Sequence, residues 1–420
     1  MTDEEIDALS LLGMETEKCI SCGFCESVCP TLSSSGYRSI YGARGRVILG
    51  KQLYDDIKSN GHSNLKISDS FYSCLDCYAC VYACPAEVNA GKVSELARQI
   101  ITEKRYVDFE EKPVAKMIAT TAAIYKNPLG TMDKSAEWSD GIEFDEDCDT
   151  LLYTGNMYQL IPYSAALEQL KSNIGDARVD FFAKFISKFP SLVKGASIIK
   201  DKTLDVVMRR TLKNIALLLK RANANFMYLG RDEPYSGAFI YELGYINEFK
   251  EYAKEVTRLF HSRNIKKIIT IDPHTYDLLK NAYPKYVEDF DFEILHYLDI
   301  VKKLKFKKSG EEITYHAPCH FALRKDSYDV PSKLLSQVSE LKIPSKSESA
   351  SVCCGGPDGL LFTGLSDRIS ETRFRELKQM GAKKIVTACP VCFVNLAKDD
   401  SVIDIADYLA TNIAKKNAQD

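Results

Sequence analysis

The sequence has no apolar run approaching the roughly 18–20 uncharged residues that a membrane-spanning helix requires. It has no excess of either charge. Its 420 residues carry 55 Lys and Arg against 58 Asp and Glu, a net of −3, which argues against a dedicated nucleic-acid binder. Tryptophan is nearly absent, with Trp138 alone. No G-x-G-x-x-G follows an apolar run, so no flavin or nicotinamide site is indicated. No Ser-His-Asp or hydrolytic metal motif appears either. The start, MTDEEIDALSLLGMETEK, is acidic and has no apolar core of the secretory type. The expected location is therefore cytoplasmic, extended to peripheral association at the inner membrane face.

Cysteine is abundant, with 14 residues. In a chain of this length without a secretory start, that points to metal or redox chemistry rather than disulfides. Eight thiols fall within residues 19–84 and five within 319–392, with Cys148 between. The strings CISCGFCESVCP (19–30) and CLDCYACVYACP (74–85) both fit C-x2-C-x2-C-x3-C-P. This is the spacing of bacterial two-cluster ferredoxins, in which the fourth cysteine serves the other cluster. Cys19, Cys22, Cys25 and Cys84 then hold one [4Fe–4S] cluster. Cys74, Cys77, Cys80 and Cys29 hold the second. The proline after each run is expected to stop the local helix. The interval between the runs is long and helix-like at 44–60, with another such stretch at 91–105. A helical ferredoxin fits this better than a small ββ one. Arg44 and Arg46 are surface cations or else offset cluster charge.

The second group is Cys319, Cys353-Cys354-Gly355-Gly356 and Cys389-Pro390-Val391-Cys392. Gly355 and Gly356 give the backbone freedom that adjacent ligands need. Cys319 and Cys389 each follow a strand-like run, and ligands of α/β units collect beyond the carboxyl ends of strands. Five soft donors exceed a tetrahedral zinc shell and suit an iron–sulfur cluster. Zinc on four of them is the alternative.

From about 147 the pattern is one of short strands alternating with helices, at 151–154, 226–229 and 267–271, with an amphipathic stretch at 238–263. Such alternation predicts mainly parallel pairing. A repeat is visible: Lys266-Lys267-Ile268-Ile269-Thr270-Ile271-Asp272-Pro273 against Lys383-Lys384-Ile385-Val386-Thr387-Ala388-Cys389-Pro390. In this alignment Asn156 stands at the place of Cys319, Leu229-Gly230 at that of Cys354-Gly355, and Asp272 and Thr275 near those of Cys389 and Cys392. The expected organisation is a helical ferredoxin domain at 1–115, a linker at 116–146, a cysteine-free α/β copy at 147–308 with a basic insertion at about 165–205, and a cysteine-rich α/β domain at 309–420. From 180 to 221 there are ten Lys and Arg against three Asp. That segment reads as a solvated amphipathic pair, or as a surface for a membrane or a partner. Cys148 is expected to be a buried core thiol. His316 and His320 are expected to pack or hydrogen-bond beside Cys319, Asp272 and His274 to be structural, and Arg324, Arg368 and Arg373 to be surface charges or contacts to an anionic partner.

The motifs CISCGFCESVCP with Ala43-Arg44-Gly45-Arg46, CLDCYACVYACP, Tyr315-His316-Ala317-Pro318-Cys319, CCGGPDG and Thr387-Ala388-Cys389-Pro390-Val391-Cys392 resemble those of the heterodisulfide reductase family, in its fused catalytic form, the D type. The chain is similar, too, to the iron–sulfur subunits of glycolate, lactate and anaerobic glycerol-3-phosphate dehydrogenases. The resemblance implies an α+β multidomain protein: a helical ferredoxin with two cubane clusters, then two tandem cysteine-rich (CCG) domains. It implies a further [4Fe–4S] cluster, cubane or noncubane, on Cys319, Cys353, Cys354, Cys389 and Cys392, with Gly355, Gly356 and Pro390 shaping the pocket. The first copy departs from that pattern because it lacks the thiols. The expected function is single-electron relay between a flavoprotein dehydrogenase and a quinone or other carrier. The alternatives are disulfide cleavage at the C-terminal cluster and a zinc-binding scaffold.

Overall fold

The computed structural model describes residues 7–108, 111–130, 135–196, 199–324 and 327–414. Helices Ala8–Glu17, Ala43–Asn60 and Ala90–Glu103 pack against one another in the N-terminal part. Ala43, Val47, Gly50, Leu53 and Ile57 recur at helical spacing and line the buried face of the second. Gly50 sits at the crossing, where a Cβ would come within 2.7 Å of Val93. The helix ends at Gly61, whose left-handed φ of 72° closes it. Among the described residues of this part there is no strand, only an isolated bridge between Ser63 and Val107. The two prolines act differently from each other. Pro85 follows the end of helix Ala79–Ala83 as expected. Pro30 instead opens helix Pro30–Ser34, with Cys29 as its N-cap, since the first helical position needs no N–H.

Two parallel sheets follow. The first has the order β1-β2-β3 (Thr150–Tyr153, Lys267–Thr270, Glu293–His296). The second has the order β5-β4-β6-β7 (Glu340–Lys342, Glu312–His316, Lys384–Thr387, Val402–Asp404). Leu151, Leu152, Ile268, Ile269, Ile313, Ile385 and Val386 are fully buried, as parallel strands covered on both faces must be. The strand expected at 226–229 is reduced to one bridge, Leu151 to Met227, on the free side of β1.

Strand register fixes which residues correspond. Tyr153 pairs with Thr270 where His316 pairs with Thr387. Asn156 therefore matches Cys319, Asp272 matches Cys389, and Thr275 matches Cys392. The match of Leu229-Gly230 to Cys354-Gly355 is corrected. Gly237 has φ 89° and caps helix Ala238–Glu242, while Gly355 has φ 87° and caps the 3-10 turn after it. Gly237 lies 30 positions before β2 and Gly355 lies 29 before β6. Tyr235-Ser236-Gly237 is thus the counterpart of Cys353-Cys354-Gly355.

Residues expected to link or to lie in solvent are packed. Helix Pro113–Tyr125 runs into the expected linker and packs on helix Asp176–Lys188. Trp138 is buried and donates to the Tyr228 hydroxyl at 3.0 Å. Helix Lys202–Arg221 buries Met208, Leu212, Ile215, Leu218 and Leu219 against helices Met157–Ile174 and Ile405–Asn412. Its Arg209 pairs with Asp205 and Glu137, and its Arg210 with Asp407. Much of the basic excess is therefore used internally. Helix Asp176–Lys188 differs, leaving Phe181, Phe182 and Phe185 exposed. No helix among the described residues is long and apolar enough to cross a membrane.

Candidate iron–sulfur centres

Each C-x2-C-x2-C loop has a left-handed residue between its first two cysteines, Ser21 (φ 58°) and Asp76 (φ 46°), and another after the second, Gly23 (φ 86°) and Tyr78 (φ 62°). Such turns gather backbone N–H groups into a concave, anion-accepting nest. A tyrosine there is strained, and strain of this kind persists only when neighbours enforce it. The Tyr78 hydroxyl donates to Glu95, and Arg324 stacks 3.7 Å over the Tyr78 ring. Cys29, Cys74, Cys77 and Cys80 line one cavity, the set expected for the second cluster. Burial, with Cys74 and Cys29 as the nearest charges, pushes the Cys80 thiol up to about 12. Burial and then Cys84, with Glu26 and Cys19 adding to it, push Cys25 up to about 11. Thiols crowded this way resist ionising unless a cation joins them, which is what a polynuclear iron site supplies. Cys22 is the exposed member of the eight. Arg46 is buried, not a surface cation: its Nη1 lies 3.7 Å from Cys29 Sγ, and its other nitrogens bond Ser70, Ser73 and Thr31. Burial alone would raise Cys29, but Arg46 holds it below the ordinary thiol range.

The C-terminal five are all buried. Cys319 and Cys353 sulfurs are 4.0 Å apart. The Gly355 N–H donates to Cys353 Sγ at 3.5 Å, and the Gly356 N–H to Cys354 Sγ at 3.4 Å. A Cβ on Gly356 would strike Val391 at 2.3 Å. Pro390 opens helix Pro390–Leu396, which Cys389 caps. Hydrogen bonds from Cys353 and Cys392 hold Cys354 well below the ordinary thiol range, and His316 adds to this. Burial opposes ionisation of Cys389, but hydrogen bonds from Cys392 and His274 bring it down to about 7. Cys354 and Cys389 are thus predisposed to carry thiolates, while Cys353 and Cys392, which donate to them, are held well above the ordinary thiol range. The ligand atoms of His316, Cys354 and Cys392 lie within 4.8 Å of one another, so His316 stands beside the thiols.

Comparison with known proteins agrees with this division. Residues 15–88 match the 4Fe-4S dicluster domain, and residues 313–397 match the cysteine-rich domain named CCG. The chain thus carries both a dicluster region and a CCG region, and it is similar along most of its length to iron–sulfur oxidoreductase proteins. The EtfAB:quinone oxidoreductase of Syntrophomonas wolfei is 26 % identical, over 81 % of this chain and 46 % of its own length. The probable glycolate oxidase iron-sulfur subunit of Bacillus subtilis is 23 % identical, over 91 % and 88 %. The D-type polypeptide of the dihydromethanophenazine:CoB–CoM heterodisulfide reductase of Methanosarcina barkeri is 21 % identical, over 94 % of each. The chain spans between 45 % and 60 % of the length of the longer curated relatives it matches.

The dicluster and CCG domains touch. Burial raises the Cys77 thiol well above its ordinary range, and Cys319 across the domain boundary adds to this. Tyr82 donates to the Arg324 carbonyl at 3.3 Å. Cys29, Pro30, Ala79 and Tyr82 share a second cavity with Ala350, Ser351 and Arg373 of the CCG domain. Neither Arg324 nor Arg373 is a surface charge. Arg324 pairs with Asp277, and Arg373 is buried and donates to His316 Nδ1 at 3.3 Å. Cys148 is half-buried rather than buried, and its thiol donates to the Asn225 carbonyl at 3.5 Å. In the cysteine-free unit, Asp272 Oδ1 accepts from the Thr275 N–H at 3.0 Å, and a Cβ on Gly155 would meet Thr275 and Ser236. Small polar side chains fill the place that the thiols take in the CCG domain. Sequence reasoning missed Glu242, Asp277 and Tyr78. They have no motif spacing, because they reach the centres through packing between units.

Proposed function

We propose that this oxidoreductase-related iron–sulfur protein relays single electrons between a flavoprotein dehydrogenase partner and a quinone or other carrier. The observation that carries this reading is the contact between the cysteine loops of the two domains, where Arg324 of the CCG domain stacks 3.7 Å over the ring of Tyr78, the residue after Cys77. Cys19, Cys22, Cys25 and Cys84 hold the first cluster, Cys29, Cys74, Cys77 and Cys80 the second, and Cys319, Cys353, Cys354, Cys389 and Cys392 a third. Bound there, [4Fe–4S] clusters accept and release one electron at a time. The chain's own residues set the conditions for this. Arg46 places positive charge against Cys29, and the N–H groups of Gly355 and Gly356 bond the sulfurs of Cys353 and Cys354. Such contacts tune cluster potential. The exposed Cys22 puts the first set at the surface, where a partner can exchange electrons with it.

Residues 147–308 are a CCG copy that has lost its thiols. That loss favours relay over a two-cluster disulfide cleavage. Anaerobically purified protein should contain about twelve iron per chain, for three four-iron clusters. About eight iron with zinc would instead make the CCG domain a zinc-binding scaffold. Anaerobic pull-down should recover a flavoprotein. Peripheral docking is assigned to the aromatic face of helix Asp176–Lys188. Flotation with anionic vesicles should be lost when Phe181 and Phe185 are changed to Ser.

A further inference from the structure

Between the dicluster domain and the two α/β units lies a cavity of about 410 Å³, lined in part by Tyr78, Glu242, His274, Asp277, His320 and Arg324. Three of these residues converge at its wall. His274 Nδ1 is 3.0 Å from Glu242 Oε1, and His320 Nε2 is 3.8 Å from the same oxygen. The two imidazole rings are 4.0 Å apart, centroid to centroid. All three ligand atoms fall within 4.8 Å of one another.

The three come from different places in the chain. Glu242 ends helix Ala238–Glu242, His274 lies in the first turn of helix Pro273–Asp277, and His320 follows Cys319. Neither α/β unit holds the set alone. Two of the three are also held from behind. Asp277 Oδ2 accepts from His320 Nδ1 at 2.8 Å, which fixes the tautomer and turns the Nε2 lone pair toward Glu242. A carboxylate behind a histidine is the usual support of a metal-bound imidazole. Arg98 donates to the Glu242 carbonyl at 2.6 Å and anchors that residue's backbone.

The spacing fits a single ion. Bonds of about 2.0–2.1 Å in a tetrahedral shell set neighbouring ligand atoms about 3.3 Å apart. The observed 3.0 and 3.8 Å bracket that value. Two histidines and one carboxylate suit zinc or ferrous iron rather than magnesium or calcium, and such three-ligand sites leave a position open.

We propose that Glu242, His274 and His320 form a mononuclear site for a divalent transition metal, beside the CCG thiols but using none of them as ligands, with its open position facing the cavity. The ion takes the place of the proton between His274 Nδ1 and Glu242 Oε1. The fourth ligand is water or an oxygen of a small molecule entering the cavity. This inference does not depend on the relay reading.

The test is titration of the anaerobic, cluster-loaded full chain with cobalt(II), read after subtraction of the cluster absorbance. The expected result is one cobalt per chain with ligand-field bands of nitrogen and oxygen donors and no thiolate charge-transfer band. Glu242→Gln, which keeps the side-chain shape, and His320→Gln should each weaken binding at least tenfold. Glu251→Gln, which removes an exposed carboxylate on helix Ile246–Ser262, should leave it unchanged. The site is refuted if the wild-type protein takes up no cobalt, if its bands are those of thiolate ligation, or if Glu242→Gln binds as tightly as wild type.

Discussion

The two α/β units share a backbone plan and differ in what stands at the carboxyl ends of their strands. In the CCG domain, Cys319, Cys353, Cys354, Cys389 and Cys392 stand there. In the other unit the matching residues are Asn156, Tyr235, Ser236, Asp272 and Thr275. The left-handed glycine is present in both, as Gly237 and Gly355, because the chain must make the same turn whatever it holds. The difference shows which features belong to the fold and which to the chemistry. The glycine, the proline and the capping residue after the central strand serve the fold. The thiols at these positions are confined to the CCG domain and belong to the centre. The unit without thiols still serves the site, since its His274 reaches Cys389.

The largest expected effect breaks the comparison outright. Cys354→Ser should remove about four of about twelve iron and the corresponding paramagnetic signal. Thr275→Ala, at the position matching Cys392, should leave the iron count unchanged. Iron and sulfide assays on anaerobic protein check both. Iron lost equally from the two variants would mean that the cysteine-free unit also binds a cluster.

The glycines sharpen it at the next level. Alanine in the left-handed region costs about 1–2 kcal/mol, and here it also meets neighbours, Ile369 at 3.0 Å for Gly355 and Tyr252 at 3.2 Å for Gly237. Gly355→Ala and Gly237→Ala should each lower stability by about 2 kcal/mol, seen as a lower thermal midpoint under argon. Only Gly355→Ala should change the spectrum of the CCG centre, because only Gly355 donates to a cysteine sulfur.

How far the sequence revealed these features depended on the range of the interactions. The cysteine runs and the repeat at 266–273 and 383–390 were legible because motif spacing and strand period are local properties. Cys29 of the first run lines one cavity with Cys74, Cys77 and Cys80 of the second. Leu229-Gly230 misled because an apolar pair before a glycine looks like a shortened CCG. Only the left-handed φ of Gly237 and its distance to β2 show the true counterpart. For Arg46, Arg324 and Arg373 the sequence leaves open a surface charge or a charged neighbour, because their partners lie far along the chain: Cys29 and Ser70 for Arg46, Asp277 for Arg324, and His316 for Arg373. The Glu242–His274–His320 cluster was illegible for the same reason.

The subtlest contrast concerns the residues that end β3 and β7. His296 and Asp404 occupy matching places, each capping the next helix through its side chain: His296 accepts from Leu298 N–H and Asp404 from Ala406 N–H. Both are fully buried, and burial acts on both toward the neutral form. It lowers His296 to about 3 and raises Asp404 to about 8. The signs of the linked stability changes are opposite. Between about pH 3 and 6.5 the unfolded chain holds a proton on His296 that the native one does not, so stability rises with pH at up to about 1.4 kcal/mol per unit. Between about pH 4 and 8 the native chain holds a proton on Asp404 that the unfolded one has lost, so stability falls at the same rate. Between these two groups the slopes cancel from about pH 4 to 6.5, and above that range the falling one remains, with Glu233, which burial also raises to about 8, adding to it. Asn keeps a capping oxygen but does not titrate. Asp404→Asn should therefore make the pH slope of the thermal midpoint more positive than in wild type from pH 4 to 8. His296→Asn should make it more negative from about pH 4 to 6.5 and leave the range above as in wild type. Identical pH profiles in all three proteins would mean that these two caps are not the neutral groups that their burial makes them.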